Sequence, residues 1–334
     1  MQVDKESGVG PPLRVPPREI PVPTSVSQEA QQVIASRLPS ESPVRPALAD
    51  HPSWRAEVEE HNGQLLTMIG SRADAMGVRT RTIDLGPCVV HVVTPEATAD
   101  DARLTVLEIH GGGFIYLGGE LCRILAIPTA LIFGTPVWAV DYRQPPDHPY
   151  PTPLDDCMAA YEALLRVRDP GEIVLFGGSA GGNLAAALTL RARDEGLPMP
   201  AAVILRTPEV DLTDSGDSMQ TNRGLDNVLS SAEPIVNLLY AGTSDFRDPY
   251  VSPLFGDFTQ GFPPTLLTTG TRDLFLSNTV RMHRALRRAG VAAELHIMEA
   301  AGHGGFLGAA PEDREIEAEM KAFAERHWVA DPAR

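Results

Sequence analysis

The stretch 177–182 limits the fold of this chain more than any other, because it sets Ser179 among glycines and an alanine. The β-favouring run 173–176 precedes it and the proline-free segment 183–193 follows, which predicts a strand, a sharp turn and a helix. Side chains two positions either side of a serine in such a turn would collide. Glycine at Gly177 and Gly181 removes that collision, so we expect the Ser179 hydroxyl to stand exposed above a sheet. An ordinary or phosphate-binding glycine turn is the alternative at this point.

Strand-like runs alternate with helix-length segments over most of the chain. This alternation is typical of a mostly parallel sheet covered by helices on both faces, and it predicts an α/β fold. The first two predicted strands form a hairpin around a Gly-Pro pair. The predicted strands are 80–85, 88–93, 104–109, 136–141, 172–176, 201–206, 265–269 and 294–298.

The regions outside this alternation lie at the start of the chain and in one long gap. The density of prolines in residues 1–25 predicts an extended tail or strap. Helical patterns follow at 27–38 and 53–76. The gap 208–262 holds a polar acidic loop and a short helix near 232–240, and it leaves the sheet at a strand end. Because ligands bind beyond the carboxyl ends of strands in such sheets, we expect this excursion to cover the site.

The composition is that of an ordinary globular protein, with 43% hydrophobic and 22% charged residues in a chain of 334. A net charge of −16 excludes a nucleic-acid partner held by a general basic surface. No basic leader and no apolar run of membrane-spanning length is visible, so we predict a cytoplasmic protein without a membrane partner. Cys88, Cys122 and Cys157 are odd in number and lack C-x-x-C spacing, which argues against disulfides and a zinc site.

A second glycine cluster follows the strand 104–109: His110-Gly111-Gly112-Gly113-Phe114. Consecutive glycines allow close approach of a ligand and direct successive N–H groups into one space, which suits an oxyanion hole. A phosphate loop is the competing interpretation. Neither cluster matches the Walker or dinucleotide-binding patterns, so nucleotide binding is disfavoured. We expect His110 to order the loop by hydrogen bonding and to take no part in proton transfer.

A nucleophilic serine needs a base and a group that orients the base. Asp273 follows one predicted strand, and His303 follows the last strand within a glycine-rich turn. Both lie on loops at the carboxyl ends of strands, the same edge as Ser179, in the chain order Ser, Asp, His. Taken singly, Asp273 could be a helix cap and His303 a loop residue; together with both glycine clusters they predict a catalytic triad.

These motifs resemble those of the hormone-sensitive-lipase family of α/β-hydrolases, a bacterial esterase group. The family carries H-G-G-G ahead of the turn and G-x-S-A-G-G at it, as at 110–113 and 177–182 here. Asp141-Tyr142-Arg143 is similar to the family's segment between the two motifs. The likeness covers roughly residues 80–310. Departures are Gly178, Glu209 in place of a frequent aromatic residue, and a single carboxylate in the segment 273–277.

The resemblance implies an α/β-hydrolase fold and a role for each motif residue. Ser179 would be the nucleophile, His303 the base and Asp273 its orienter, with the N–H groups of Gly112, Gly113 and Ala180 as oxyanion hole. It also implies a cap, giving the tail and cap helices at 1–76, the catalytic domain at 77–334 and a second cap segment at about 209–245. A homodimer through the edge strand at 294–298 is suggested by the same analogy. The supporting motif residues are His110, Gly111, Gly177 and Gly181.

The predicted reaction is hydrolysis of short to medium acyl esters through an acyl-enzyme, which requires no metal or organic cofactor. A lactone is the closest alternative substrate, because ring opening uses the same groups. A non-catalytic small-ligand receptor on the same fold is the alternative of another class, and an intact serine, aspartate and histidine argue against it. Glu209 would either disfavour acidic substrates or lie solvated and without effect.

Overall fold

The structure is a computed structural model that describes residues 13–36, 44–73, 76–99, 102–229, 231 and 233–328. The end of the first predicted helix and the first twelve residues of the predicted tail lie outside the described residues. The strands are β1 (Val78–Asp84), β2 (Val89–Pro95), β3 (Thr105–Ile109), β4 (Val137–Asp141), β5 (Ile173–Gly178), β6 (Ala202–Arg206), β7 (Thr265–Gly270) and β8 (Ala293–Met298).

The strands form one eight-stranded sheet in the order β1-β2-β4-β3-β5-β6-β7-β8. The hairpin of β1 and β2 is antiparallel, and β2 also runs antiparallel to β4. All later pairings are parallel. The carboxyl ends of β3, β5, β6, β7 and β8 therefore meet at one edge, which confirms the predicted α/β-hydrolase architecture.

Helices cover both faces of the sheet. The helices are α1 (Gln28–Ala35), α2 (His51–Ala73), α3 (Glu120–Phe133), α4 (Thr152–Leu165), α5 (Ala180–Asp194), α6 (Ser218–Thr221), α7 (Pro234–Ala241), α8 (Leu276–Arg288) and α9 (Pro311–His327). Helices α4, α5 and α8 pack on one face, and α3 and α9 on the other. None of the helices in the described ranges combines the length and the apolar character that crossing a bilayer needs.

The alternation of side chains along β5 explains why both faces carry a core. Ile173 and Leu175 belong to the cluster under α4, α5 and α8, whereas Val174 and Phe176 belong to the cluster under α3 and α9. Successive residues of a strand point to opposite faces, so a continuous apolar run suits a strand that is buried on both sides. The two cores hold the carboxyl ends of the strands in place.

The first two helices have different neighbours. Helix α1 packs on α9, where Ala30 and Ile34 are buried. Helix α2 contacts α3, and Trp54 at its start is fully buried against Tyr116 and α7. Of the two helices, it is α2 that reaches the carboxyl edge of the sheet.

Candidate active site

Ser179 occupies the turn between β5 and α5 with φ 56° and ψ −124°. A non-glycine residue with positive φ is uncommon and costs about 1–3 kcal/mol, so the surrounding structure must hold it. Its N–H donates to Arg206 O at 3.0 Å, and its carbonyl accepts the Glu209 N–H at 3.1 Å. The backbone of the turn is thereby tied to the end of β6.

The predicted need for glycine around the serine is borne out by the spacing of backbone atoms. A Cβ at Gly177 would lie 2.2 Å from Gly181 O, and a Cβ at Gly181 would lie 2.0 Å from Ile109 O. Such distances are impossible for real atoms, so only glycine allows α5 to approach β5 and β3 this closely. The tight turn at Ser179 therefore depends on the absence of a side chain at Gly177 and Gly181.

The second glycine cluster packs directly against this turn. A Cβ at Gly111 would lie 2.9 Å from Gly178 O and 3.2 Å from Ser179 Cβ. Among the described residues, no protein acceptor takes the N–H of Gly112 or Gly113. Ala180 begins α5, and the first N–H groups of a helix have no partner within it. Three N–H groups without a protein acceptor among the described residues thus lie in the two segments that meet at Ser179.

His110 orders the glycine loop, as expected. Its Nδ1 donates to Gly111 O at 2.9 Å, and its ring stacks on Tyr142 at a centroid distance of 4.2 Å. Tyr142 Oη donates in turn to His110 O at 3.0 Å. Burial lowers the pKa of His110 to about 4, so the ring is neutral at physiological pH. A ring with so low a pKa is a weak base, and its Nδ1 is already engaged with the loop that it orders.

Asp273 and His303, which are thirty residues apart in the chain, are in contact. His303 Nδ1 lies 3.2 Å from Asp273 Oδ1. A carboxylate only accepts, so this contact places the ring proton at Nδ1 and leaves Nε2 as the basic atom. Asp273 is fully buried and also accepts Thr269 Oγ1–H at 2.7 Å and the Phe275 N–H at 2.9 Å.

Ser179 and His303 line the same cavity of about 470 Å³. Among the described residues, no hydrogen bond joins the Ser179 hydroxyl to His303 Nε2. In unliganded enzymes this contact is often long and shortens only when substrate binds. His303 also lines a second cavity of about 290 Å³, whose wall includes Gly112 and Gly113.

The second cavity carries several acidic groups, and Arg45 also lines it. Glu209 and Asp214 both line it. Burial raises the pKa of Glu209 to about 8, and burial together with Asp211 raises the pKa of Asp214 to about 6. Glu209 is only 6% exposed, which excludes the expectation of a solvated side chain. At neutral pH it is largely a neutral carboxylic acid.

Asp226 is a buried site residue that sequence analysis missed. Its Oδ2 accepts the N–H of Leu274 at 2.9 Å and that of His303 at 3.0 Å. Its Oδ1 accepts the N–H of Val228 at 2.8 Å and that of Leu229 at 3.0 Å. One carboxylate thus joins the 209–245 segment to the loops of both Asp273 and His303. Only the two local bonds, typical of an Asx turn, could have been anticipated from sequence.

Comparison with known proteins places this geometry among enzymes. The model of a family described as having the alpha/beta hydrolase fold matches residues 106–307. An acetyl-hydrolase of Streptomyces hygroscopicus is 34% identical over 211 residues, covering 62% of this chain and 69% of the relative. An esterase of Acinetobacter venetianus is 34% identical over 223 residues, covering 65% of this chain and 73% of the relative.

Solved structures give the same result over almost the whole chain. The crystal structure of an esterase E25 has a TM-score of 0.88 and 34% identity, with 95% of this chain and 99% of that chain covered. An esterase from the bacterial hormone-sensitive lipase family has a TM-score of 0.75 and 28% identity, covering 91% and 99%. The chain therefore belongs to the α/β-hydrolase family, in its hormone-sensitive-lipase branch. As an enzyme it is a carboxylic ester hydrolase.

Proposed function

We propose that the protein is a serine carboxylesterase that cleaves short to medium acyl esters through an acyl-enzyme. Ser179 is the nucleophile, His303 the general base and Asp273 the residue that orients the base. The single observation that carries the proposal is the 3.2 Å contact between Asp273 and His303 beside a serine held at positive φ.

In the acylation step, His303 Nε2 takes the Ser179 proton while the hydroxyl oxygen attacks the ester carbonyl carbon. The oxyanion accepts hydrogen bonds from the N–H groups of Gly112, Gly113 and Ala180. The protonated ring then gives its proton to the leaving alcohol as the carbon–oxygen bond breaks. Water attacks the acyl-enzyme with the same base, which releases the acid and restores Ser179.

The proposed substrate size follows from taking the cavity of about 290 Å³ as the acyl pocket, because His303 lines both this cavity and the cavity of Ser179. Its apolar walls include Val228, Leu229 and Phe275, which suit an acyl chain of a few carbons. A cavity at the lower end of the range for ligand pockets disfavours long chains.

We propose that the cap consists of α2 and the segment at about 209–245. His61 of α2 and Val236 of α7 both line the cavity. Helix α1 lies against α9, so it contributes to the N-terminal segment 1–76 without reaching the cavity. In this proposal the catalytic domain spans 77–334.

A fluorophosphonate tests the nucleophile. We expect stoichiometric labelling of the protein, and loss of labelling and of ester hydrolysis in Ser179→Ala. Cleavage of p-nitrophenyl esters of graded chain length, of simple lactones and of anilides then ranks the substrates. Faster lactone than ester cleavage would favour the lactonase alternative. Tight ligand binding without labelling or turnover would favour the receptor.

Two further expectations remain proposals. The strand β8 forms one edge of the sheet, where a homodimer could extend the sheet across two copies. Light scattering in solution tests this, since a monomer mass would contradict it. A cytoplasmic location also stays a prediction.

A further inference from the structure

Two buried imidazole nitrogens lie near the start of the glycine loop without a hydrogen-bond partner. They are Nε2 of His110 and Nε2 of His91 on β2. His110 is 6% exposed, and the side chain of His91 is 13% exposed. Buried polar atoms are nearly always satisfied, so two unpaired nitrogens in one region need an explanation such as a bound ion.

The other nitrogen of each ring has a partner. His110 Nδ1 donates to a carbonyl, Gly111 O, at 2.9 Å. His91 Nδ1 lies 3.3 Å from Thr82 Oγ1. The carbonyl partner places the His110 proton on Nδ1, so its Nε2 presents a lone pair, whereas the Thr82 hydroxyl fits either tautomer of His91. A histidine fixed by a bond at its second nitrogen is the usual arrangement in metal sites.

A thiol and a carboxylate complete the cluster. Ligand atoms of His110, Cys122 of α3 and Asp141 of β4 all lie within 4.8 Å of one another. His91 Nε2 lies 3.6 Å from Asp141 Oδ2, too far for a good hydrogen bond. Asp141 Oδ1 is fixed by the Gly119 N–H at 2.8 Å. The cluster is drawn from separate elements, so the spacing of the cysteines in sequence gave no sign of it.

We propose that His110, Cys122 and Asp141 form a binding site for one Zn²⁺ ion, with His91 available as fourth ligand. Imidazole nitrogen, thiolate sulfur and carboxylate oxygen are the donors that zinc prefers, in tetrahedral geometry. Bond lengths of about 2.0–2.3 Å require the ligand atoms to move closer by roughly 1 Å. The exposed parts of the His91 and Asp141 side chains, 13% and 21%, provide an entry route from the surface beside the paired strands β2 and β4.

Binding forms a zinc–sulfur bond and displaces the thiol proton to solvent. Burial raises the pKa of Cys122 well above its usual range, so the free thiol is protonated and the metal must drive its ionisation. Because His110 begins the glycine loop, the movement of roughly 1 Å that Zn²⁺ binding requires of its ligands would displace the loop that supplies the oxyanion donors. We therefore expect bound Zn²⁺ to lower the esterase rate, a consequence that rests on the proposed function.

Co²⁺ is the probe for the site, since cobalt bound to a thiolate gives an intense near-ultraviolet charge-transfer band. The full-length chain is titrated with Co²⁺, then with Zn²⁺ by calorimetry. We expect one equivalent to bind with the thiolate band, and Cys122→Ser to lose the band and weaken Zn²⁺ binding at least roughly tenfold. The matched controls are Cys88→Ser and Cys157→Ser, which remove the two other buried free thiols and should keep the band.

The remaining outcomes separate this site from others. Ser179→Ala should retain the band, whereas loss of the band in that variant would place the ion at the reacting groups and overturn the proposal. Binding without a thiolate band, or equal binding by Cys122→Ser, would also overturn it. Circular dichroism of each variant verifies folding. If zinc binds at Cys122 and the hydrolysis of p-nitrophenyl butyrate is unchanged, the site is correct and the expected inhibition is wrong. If the metal-free protein does not hydrolyse this ester, the proposed function is contradicted instead.

Discussion

Asp226 Oδ2 accepts the backbone N–H of His303 at 3.0 Å, although 77 residues separate them. The same oxygen accepts the N–H of Leu274, the neighbour of Asp273. The proposed base and its orienting carboxylate are thus both positioned by one side chain of the 209–245 segment. Burial raises the pKa of Asp226, and the His303 ring opposes this rise.

Asp226→Asn should lower kcat roughly 10- to 100-fold with little change in KM. Each oxygen of the carboxylate accepts two N–H groups, whereas the asparagine amide has only one oxygen. The NH₂ group of the variant would face two donors, which displaces one of the loops. Steady-state kinetics on p-nitrophenyl butyrate, with a pH–rate profile, measures the effect.

Asp217→Asn is the control, since this aspartate lies in the same segment and is exposed. It should match the parent enzyme. A purely structural role for Asp226 would show as lost stability with an unchanged kcat and pH profile, which would contradict the positioning role.

Gly181→Ala should prevent normal folding or lower the free energy of unfolding by at least about 1–3 kcal/mol, because the new Cβ would lie 2.0 Å from Ile109 O. Gly63→Ala is the matched control within α2, where nothing lies within 4 Å of the added carbon. It should stabilise the protein by about 0.5–1 kcal/mol. Urea unfolding measures the free energy of unfolding of both variants. Equal changes in the two variants would refute the close packing of the turn.

Glu209→Gln should weaken the dependence of stability on pH. The pKa of Glu209 rises from 4.5 to about 8 on folding, so the native state holds a proton that the unfolded chain releases. The free energy of unfolding therefore falls as pH rises from about 4.5 to about 8. Glu108, whose pKa burial also raises to about 8, contributes in the same direction.

Urea unfolding at pH 5.5 and pH 8 measures this effect. At the higher pH the glutamine variant should be more stable than the parent by on the order of 1 kcal/mol. Exposed Glu299, changed to glutamine, is the control and should leave the slope unchanged. Parallel slopes for parent and Glu209→Gln would show that Glu209 ionises normally.

Trp54→Ala should destabilise the protein by roughly 3–5 kcal/mol and raise KM. Trp54 is fully buried against Tyr116 and α7, and its Nε1 donates to Ala47 O at 3.1 Å. Removing it frees α2 from the cavity wall. Trp54→Phe should show a smaller change in both quantities. Lost stability with an unchanged KM would argue against α2 as part of the cap.

Much of the fold was predictable because it depends on local patterns. Every predicted strand is present, with ends shifted by at most two residues. The apolar run at 173–176 and the glycines around Ser179 act over a few residues, and backbone sterics then require the turn. Ser179, Asp273 and His303 each follow a predicted strand, which predicted that all three lie at the carboxyl edge of a parallel sheet.

Other features were set by tertiary structure alone. No local pattern distinguishes Asp226 from an exposed aspartate, because two of its four hydrogen bonds cross to distant loops. The burial of Glu209 and the cluster of His110, Cys122 and Asp141 likewise depend on which elements pack together. Sequence by itself determined the strands, the turn and the candidate triad, since those follow from short-range sterics and periodicity. The three-dimensional packing decided which polar groups lost their water, and therefore which of them have altered protonation or positioning roles.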